Sequence, residues 1–385
     1  MRRIFILIFA FFLVHLLLIF FPLESLPLKE FPFQHIASGY ANFGLHPLAN
    51  FDGEHYILIA REGYGEFQQA YFPLYPLLLS FVSPLFLQNY FLSGLAISWG
   101  TFFSGFVFFY KFLKGLFPKE SFWILLLFLA FPTSFFFLAL YPESLFFFLT
   151  SVFFYLLYKK KFAIAAVFGF AAGTAKIQGA LLFIPFLFSV LAVERLSLQK
   201  FLDSVKKRSR HLLFLSISPL LGLFAYSAFL AYRYGDPLYF LHAQSAFGAN
   251  RSGDTLILLP QVLYRYGKIF LTSDWNFQFF VSVFEFFIFV MVFGVVLYEL
   301  YRIVRKRVSV HPLVLGIHLF SLSSLILPTL TGTLSSIPRY ALIAYSFFFI
   351  IGTMQAKYGR YVLLLLFIVL HLWAFLFFTR GYFVS

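Results

Sequence analysis

Long apolar runs alternate along this chain with short breaks that are polar, basic or rich in proline. A hydrocarbon layer about 30 Å thick takes roughly 20 helical residues. On that measure the runs 4–21, 91–111, 121–140, 143–158, 162–175, 177–193, 212–232, 278–299, 312–330, 339–356 and 360–379 predict about eleven transmembrane helices. The run 4–21 follows Met-Arg-Arg and has no small-residue cleavage site before the Pro22 to Pro27 stretch. It reads as a retained span with a cytoplasmic N-terminus. The stretch 72–88 is also apolar, but three prolines in seventeen residues suit a broken segment lying at the interface.

Placing 72–88 at the outer interface leaves 20 of the 29 basic residues on the cytoplasmic side, a strong positive-inside bias. Ten of the 15 acidic residues then fall outside, mostly in a first outer loop, 22–90, and a second, 233–277. The loop 194–211 reads as a basic connector. No tandem repeat or soluble domain interrupts the pattern, so 1–385 is expected to form a single transmembrane domain, all-α and polytopic.

Composition sharpens that picture. Hydrophobic residues make up 61% and charged residues 11%, and 63 positions are Phe. A soluble protein is about 25% charged, so a soluble fold is excluded, and disorder and a nucleic-acid-binding module with it. The absence of Cys removes thiol catalysis and thiolate metal sites. The net charge of +14 describes orientation and attraction to membrane lipids rather than a nucleic-acid partner.

Within the first outer loop, Glu54, Tyr56, Ile59, Ala60 and Gly63 set a helical period that predicts a short helix lying against the membrane and ending at Gly63. Asp52 opens it. Two readings of Asp52 stand: an N-cap accepting backbone N–H groups, or a surface carboxylate acting as general base on a hydroxyl. His55 and Tyr56, three and four residues on, share its face, whereas Glu54 points elsewhere.

The stretch Phe51-Asp52-Gly53-Glu54-His55-Tyr56, continuing to Tyr64 and followed by Ala70-Tyr71-Phe72-Pro73-Leu74-Tyr75-Pro76, resembles the first-loop signature of the PIG-V-type mannosyltransferases, the family of GPI mannosyltransferase 2 and its prokaryotic relatives. Those enzymes belong to the GT-C superfamily of integral membrane glycosyltransferases. Tyr141-Pro142-Glu143-Ser144-Leu145-Phe146, Thr174-Ala175-Lys176-Ile177-Gln178-Gly179 and Ile337-Pro338-Arg339-Tyr340 are similar to further family motifs. Phe51 stands where the family usually has Trp, and Lys176 where Arg is commoner.

The resemblance implies a GT-C-like fold in a prokaryotic plasma membrane. It implies inverting transfer of a sugar, mannose by family, from a polyprenyl-phosphate donor to a hydroxyl on a lipid, glycan or protein acceptor at the outer face. Asp52 carries over as the catalytic carboxylate, with Glu54, His55, Tyr56, Glu143, Lys176, Arg233 and Arg339 as substrate-binding candidates. A departing phosphate gains negative charge, which a fixed cation stabilises. Arg339 is the first choice for that role, with Lys176, Arg233 and Arg251 behind it.

Each candidate also has a plainer reading. Arg339 and Arg233 can snorkel to headgroups, and Glu143 can cap the helix that follows Pro142. Lys176, so close to the apolar layer, needs a partner or water, and Glu285 inside 278–299 needs a partner or a proton. Asp52, Glu54 and His55 are plausible ligands for a divalent metal, but no compact ligand set is visible. Asn250-Arg251-Ser252 matches a glycosylation acceptor pattern, and His15, His318 and His371 read as hydrogen-bonded packing residues. The alternatives to an enzyme are a lipid flippase or transporter, and a non-catalytic partner subunit of a glycosyltransferase. The clustering of acidic residues in outer loops rather than at mid-membrane favours interfacial chemistry.

Overall fold

The computed structural model describes residues 2–20, 26–30, 44–194, 198–248, 251–306 and 308–384. Its described residues are all-α, with no strand. In chain order the helices are α1 (Arg2–Phe20), α2 (Asp52–Glu62), α3 (Leu74–Val82), α4 (Tyr90–Leu116), α5 (Ser121–Ala130), α6 (Glu143–Tyr158), α7 (Phe162–Ala175), α8 (Ile177–Ala180), α9 (Phe183–Leu191) and α10 (Leu198–Lys207). They continue as α11 (Arg210–Ser216), α12 (Ser218–Tyr234), α13 (Tyr239–His242), α14 (Leu259–Thr272), α15 (Phe277–Lys306), α16 (Pro312–Thr329), α17 (Ile337–Tyr340), α18 (Tyr345–Thr353) and α19 (Lys357–Thr379).

Helices α4, α15, α16 and α19 are each long and apolar enough to cross a membrane. The bent pair α11–α12 makes a fifth, kinked by 50° at Ile217, just before Pro219. These long apolar helices mark a membrane-embedded protein. Other expected spans are interrupted rather than continuous. The run 121–140 stops at Phe131, whose extended backbone (φ −56°, ψ 141°) is the one that the following Pro132 imposes. Lys176 is extended between α7 and α8, and a turn at 341–344 separates α17 from α18. In the stretch 72–88, α3 and a 3-10 turn at Ser83–Phe86 run together as one of the shorter apolar helices. Parts of the loop 22–90 lie outside the described residues, as does Asn250 of the acceptor pattern.

Without water between them, apolar helices gain from close fit rather than from the hydrophobic effect. The GxxxG spacing Gly169–Gly173 on α7 meets Gly222 on α12. A Cβ on Gly173 would stand 2.2 Å from the Pro219 carbonyl oxygen, and one on Gly222 would stand 2.2 Å from that of Phe170. Elsewhere phenylalanines fill the interior: the Phe109 ring lies 5.3 Å from Phe128, 5.5 Å from Phe147 and 5.6 Å from Tyr345, joining α4, α5, α6 and α18. His15 and His371 meet at 2.6 Å between α1 and α19, and His318 bonds Ser346. This rigid frame fixes the positions of the chain breaks, and the breaks carry the polar groups.

Candidate active site

Four separate breaks converge on one cavity of about 560 Å³. The start of α2 supplies Asp52, His55 and Tyr56. The start of α6 supplies Glu143, the α7–α8 break supplies Lys176, and α17 supplies Arg339. Tyr71, Phe247, Arg251, Ser335, Ser336 and Tyr340 complete the polar and aromatic wall.

Asp52 does not cap its helix. Phe51 holds the N-cap position with no side-chain cap bond, which frees the Asp52 carboxylate to face the cavity. Oδ2 accepts from Arg339 Nη1 at 2.5 Å and Oδ1 accepts from the Tyr71 hydroxyl at 3.2 Å. The Asp52 backbone N–H donates to the Tyr141 hydroxyl (3.2 Å), which in turn donates to the Asn50 carbonyl (2.7 Å). The Tyr141-Pro142-Glu143 segment thereby pins the entry to α2.

Glu143 likewise does not act as a cap. Its Oε1 accepts from Lys176 Nζ at 2.7 Å and lies 3.5 Å from Arg339 Nε, while Oε2 is buried without a hydrogen-bond partner among the described residues. The result is a chain of alternating charge, Asp52–Arg339–Glu143–Lys176, in which both cations are about nine-tenths buried. Both carboxylates stand in the first turn of a helix, where the backbone N–H groups favour negative charge. Arg339 also stacks over Tyr141 (5.4 Å) and Tyr340 (5.6 Å), so it is neither snorkelling nor exposed.

Burial pushes the Asp52 carboxyl up, but the charge and hydrogen bond of Arg339, helped by His55 and Arg251, outweigh it and hold the group below its ordinary value. Burial lowers His55, against the pull of Asp52, and its ring is neutral at pH 7. Burial first, then the Asp52 charge, raises Tyr56 and Tyr71 well above the ordinary phenol, so both keep their protons, and Tyr71 donates its own to Asp52.

No family model, curated protein or solved structure matches this chain. The site therefore rests on its own geometry.

Two of the expected residues stand apart from it. Glu54 is buried on the other side of α2 and does not line the cavity, and Arg233 is exposed near the end of α12. The metal reading of Asp52, Glu54 and His55 fails on the same ground. Among the described residues no group of three or more His, Asp or Glu side chains could hold an ion, and the charges of Asp52 and Glu143 are already answered by Arg339 and Lys176.

Two contributors carried little signal in the sequence. Tyr71 lies in the quoted first-loop signature, yet nineteen residues and two turns separate it from the carboxylate it bonds. Arg251, one of three candidate cations placed behind Arg339, is the cavity cation without a direct carboxylate partner among the described residues. It donates to the hydroxyls of Ser335 (3.4 Å) and Ser336 (3.1 Å). Backbone strain collects here too: Phe51, Phe67 and Ser336, all on the cavity wall, have φ of 61°, 60° and 67°. Such conformations cost roughly 1–3 kcal/mol each and persist where the surroundings enforce them, commonly at functional sites.

Proposed function

We propose that this chain is a GT-C-type membrane glycosyltransferase, similar to the PIG-V mannosyltransferases, which moves a sugar from a polyprenyl-phosphate donor to a hydroxyl acceptor at the outer face of the membrane. One observation carries the reading. All four sequence stretches that resemble the family's motifs meet on a single cavity wall, although Asp52 and Arg339 are 287 positions apart. Eleven crossings would draw the further six from the shorter apolar segments around α1, α5, α6, α7, α8–α9 and α18, of which α5 and α18 are too short to cross without the irregular chain that continues them, with α3 at the outer interface.

The lining suits an amphipathic ligand, because Phe67, Phe72, Phe240, Leu241 and Leu327 face the same space as the charged chain. In the reaction the acceptor oxygen bonds to the anomeric carbon from the face opposite the phosphate. The bond from that carbon to the phosphate oxygen breaks with its electron pair, and the acceptor proton passes to Asp52. A carboxylate held by Arg339 is a weak base. A donor phosphate offers Arg339 a second anion, and sharing the guanidinium raises the basicity of Asp52 as the complex forms. Arg251, whose side chain among the described residues bonds neutral hydroxyls, is the cation best placed to take the growing phosphate charge. Glu143 Oε2 is left to accept from a sugar hydroxyl.

The test is purified protein in lipid, incubated with polyprenyl-phosphate sugars and a panel of lipid, glycan and peptide acceptors, with products identified by mass spectrometry. A sugar-bearing product is expected. Its absence across the panel, with donor also left unbound, overturns the reading in favour of a partner subunit.

A further inference from the structure

A second polar cluster lies behind the cavity wall, and it centres on Glu285, the buried carboxylate in the first half of α15. Glu285 is 5% exposed, and an ionisable group so placed is expensive unless it is paired. Its nearest partner is Tyr266 on α14, whose hydroxyl donates to Glu285 Oε2 at 2.6 Å, and the Ser336 backbone N–H and the Arg251 charge face the same carboxylate. The same hydroxyl accepts from the Leu334 backbone N–H at 3.1 Å and lies 3.4 Å from Thr333 Oγ1, which accepts from the Ser335 N–H at 3.0 Å.

A phenol has one hydrogen. Glu285, an acceptor, takes it and so leaves the lone pairs of Tyr266 facing the 333–335 backbone. That segment delivers Ser335 and Ser336 to Arg251 and ends at Ser336, in the left-handed region, where α17 begins. The Arg339 N–H bonds back to the Ser336 carbonyl at 3.1 Å, two elements from Glu285 and one from Asp52.

We infer that Glu285 is a positioning residue: through the Tyr266 hydroxyl it holds the 333–336 segment in the geometry that presents Arg251, and through α17 Arg339, to a phosphate in the cavity. The link to phosphate rests on the glycosyltransferase reading, whereas the latch itself does not. Glutamine can still accept the phenol hydrogen, but leucine cannot.

The experiment uses the full chain in lipid nanodiscs, as wild type, Glu285→Gln, Glu285→Leu, Tyr266→Phe and Arg251→Gln. Two readouts are taken: hydrogen exchange of the 331–340 segment and binding of a short-chain prenyl phosphate. Glu285→Leu and Tyr266→Phe are expected to speed exchange of the Leu334 and Ser335 amides at least tenfold and to weaken prenyl phosphate binding at least tenfold. Glu285→Gln should stay within threefold of wild type in both. Adding Glu285→Leu to Arg251→Gln should weaken binding by a smaller factor than it does in wild type, because part of the latch's effect acts through that arginine and only the part through Arg339 remains. A folded Glu285→Leu protein with unchanged exchange overturns the latch, and faster exchange with unchanged binding overturns the positioning role. Wild type that binds no prenyl phosphate while the exchange responds as expected keeps the latch and refutes the phosphate reading.

Discussion

Arg339 Nη1 and Asp52 Oδ2 form an ion pair of 2.5 Å between the start of α2 and the short helix α17, and the arginine is 9% exposed. Removing Arg339 leaves Asp52 charged and without its ion partner, whereas removing the Asp52 charge leaves Arg339 with Glu143 at 3.5 Å, so the pair links the proposed chemistry to folding. A single substitution therefore has two readouts that need to be separated.

Asp52→Asn keeps the side-chain shape and a carbonyl oxygen for Arg339 but cannot take a proton. The expected loss in kcat is about 10²–10⁴-fold, the range for a positioned general base, with expression and the melting transition retained. Normal turnover by a folded Asp52→Asn protein would remove the base assignment. Donor binding should persist, since Arg251 and Lys176 are untouched.

Arg339→Gln leaves Asp52 and Glu143 facing each other across the cavity with Lys176 as their remaining close cation. Breaking a buried pair from one side costs about 3–5 kcal/mol, so this variant should melt well below wild type. In the double variant Asp52→Asn with Arg339→Gln, no charge on that link is stranded. Its destabilisation should fall clearly short of the sum of the single effects. Strict additivity in thermal melts would show that the two side chains do not interact in the membrane-embedded protein.

How much of this was legible beforehand differs between residues for physical reasons. The i, i+3, i+4 spacing of Asp52, His55 and Tyr56 places all three on one helical face, and all three line the cavity while Glu54 does not. Helix existence followed from apolar runs, but run length hid the interruptions: Phe131-Pro132 was visible in the sequence, and a local backbone rule there overrode the hydropathy. The ion pairs were not legible. Whether Arg339 is free for phosphate or engaged by carboxylates depends on contacts across 287 and 196 positions, which no local pattern encodes. For the same reason Arg251 could be named as a cation but not ranked.

The pH profile follows from the direction of each shift. The carboxyl of Asp52 is held below its ordinary value of 3.8, so the ionised, paired form contributes stability above that value, which is lost as pH falls through the folded-state pKa. His55 is held below 6.5 and is neutral through the physiological range. Neither group titrates between pH 7 and 8. The donor kcat/KM, which reports the unliganded protein, should therefore show no inflection from Asp52 as pH is lowered from 8 to 5, and His55→Gln should leave that profile between pH 7 and 8 unchanged in shape. An acid limb with a midpoint near 6 that survives His55→Gln would mean that Asp52 is far more basic than its contact with Arg339 allows.

Arg251 offers the cleanest separation of binding from folding. Its side-chain hydrogen bonds among the described residues go to two neutral hydroxyls, so Arg251→Gln breaks no direct ion pair there, removes only a longer-range charge from Asp52 and Glu285, and should melt much closer to wild type than Arg339→Gln. A charge-assisted hydrogen bond to phosphate is worth about 1.5–3 kcal/mol, which corresponds to roughly 10–100-fold in donor affinity. The loss should appear in the donor kcat/KM, with kcat lowered as well because the phosphate charge grows in the transition state, and leave the acceptor KM nearly unchanged. Arg233→Gln is the matched control, because that side chain is exposed and away from the cavity, and it should change neither constant. Equal effects from the two substitutions would show that general attraction to the lipid surface, rather than a placed guanidinium, draws the phosphate to this face.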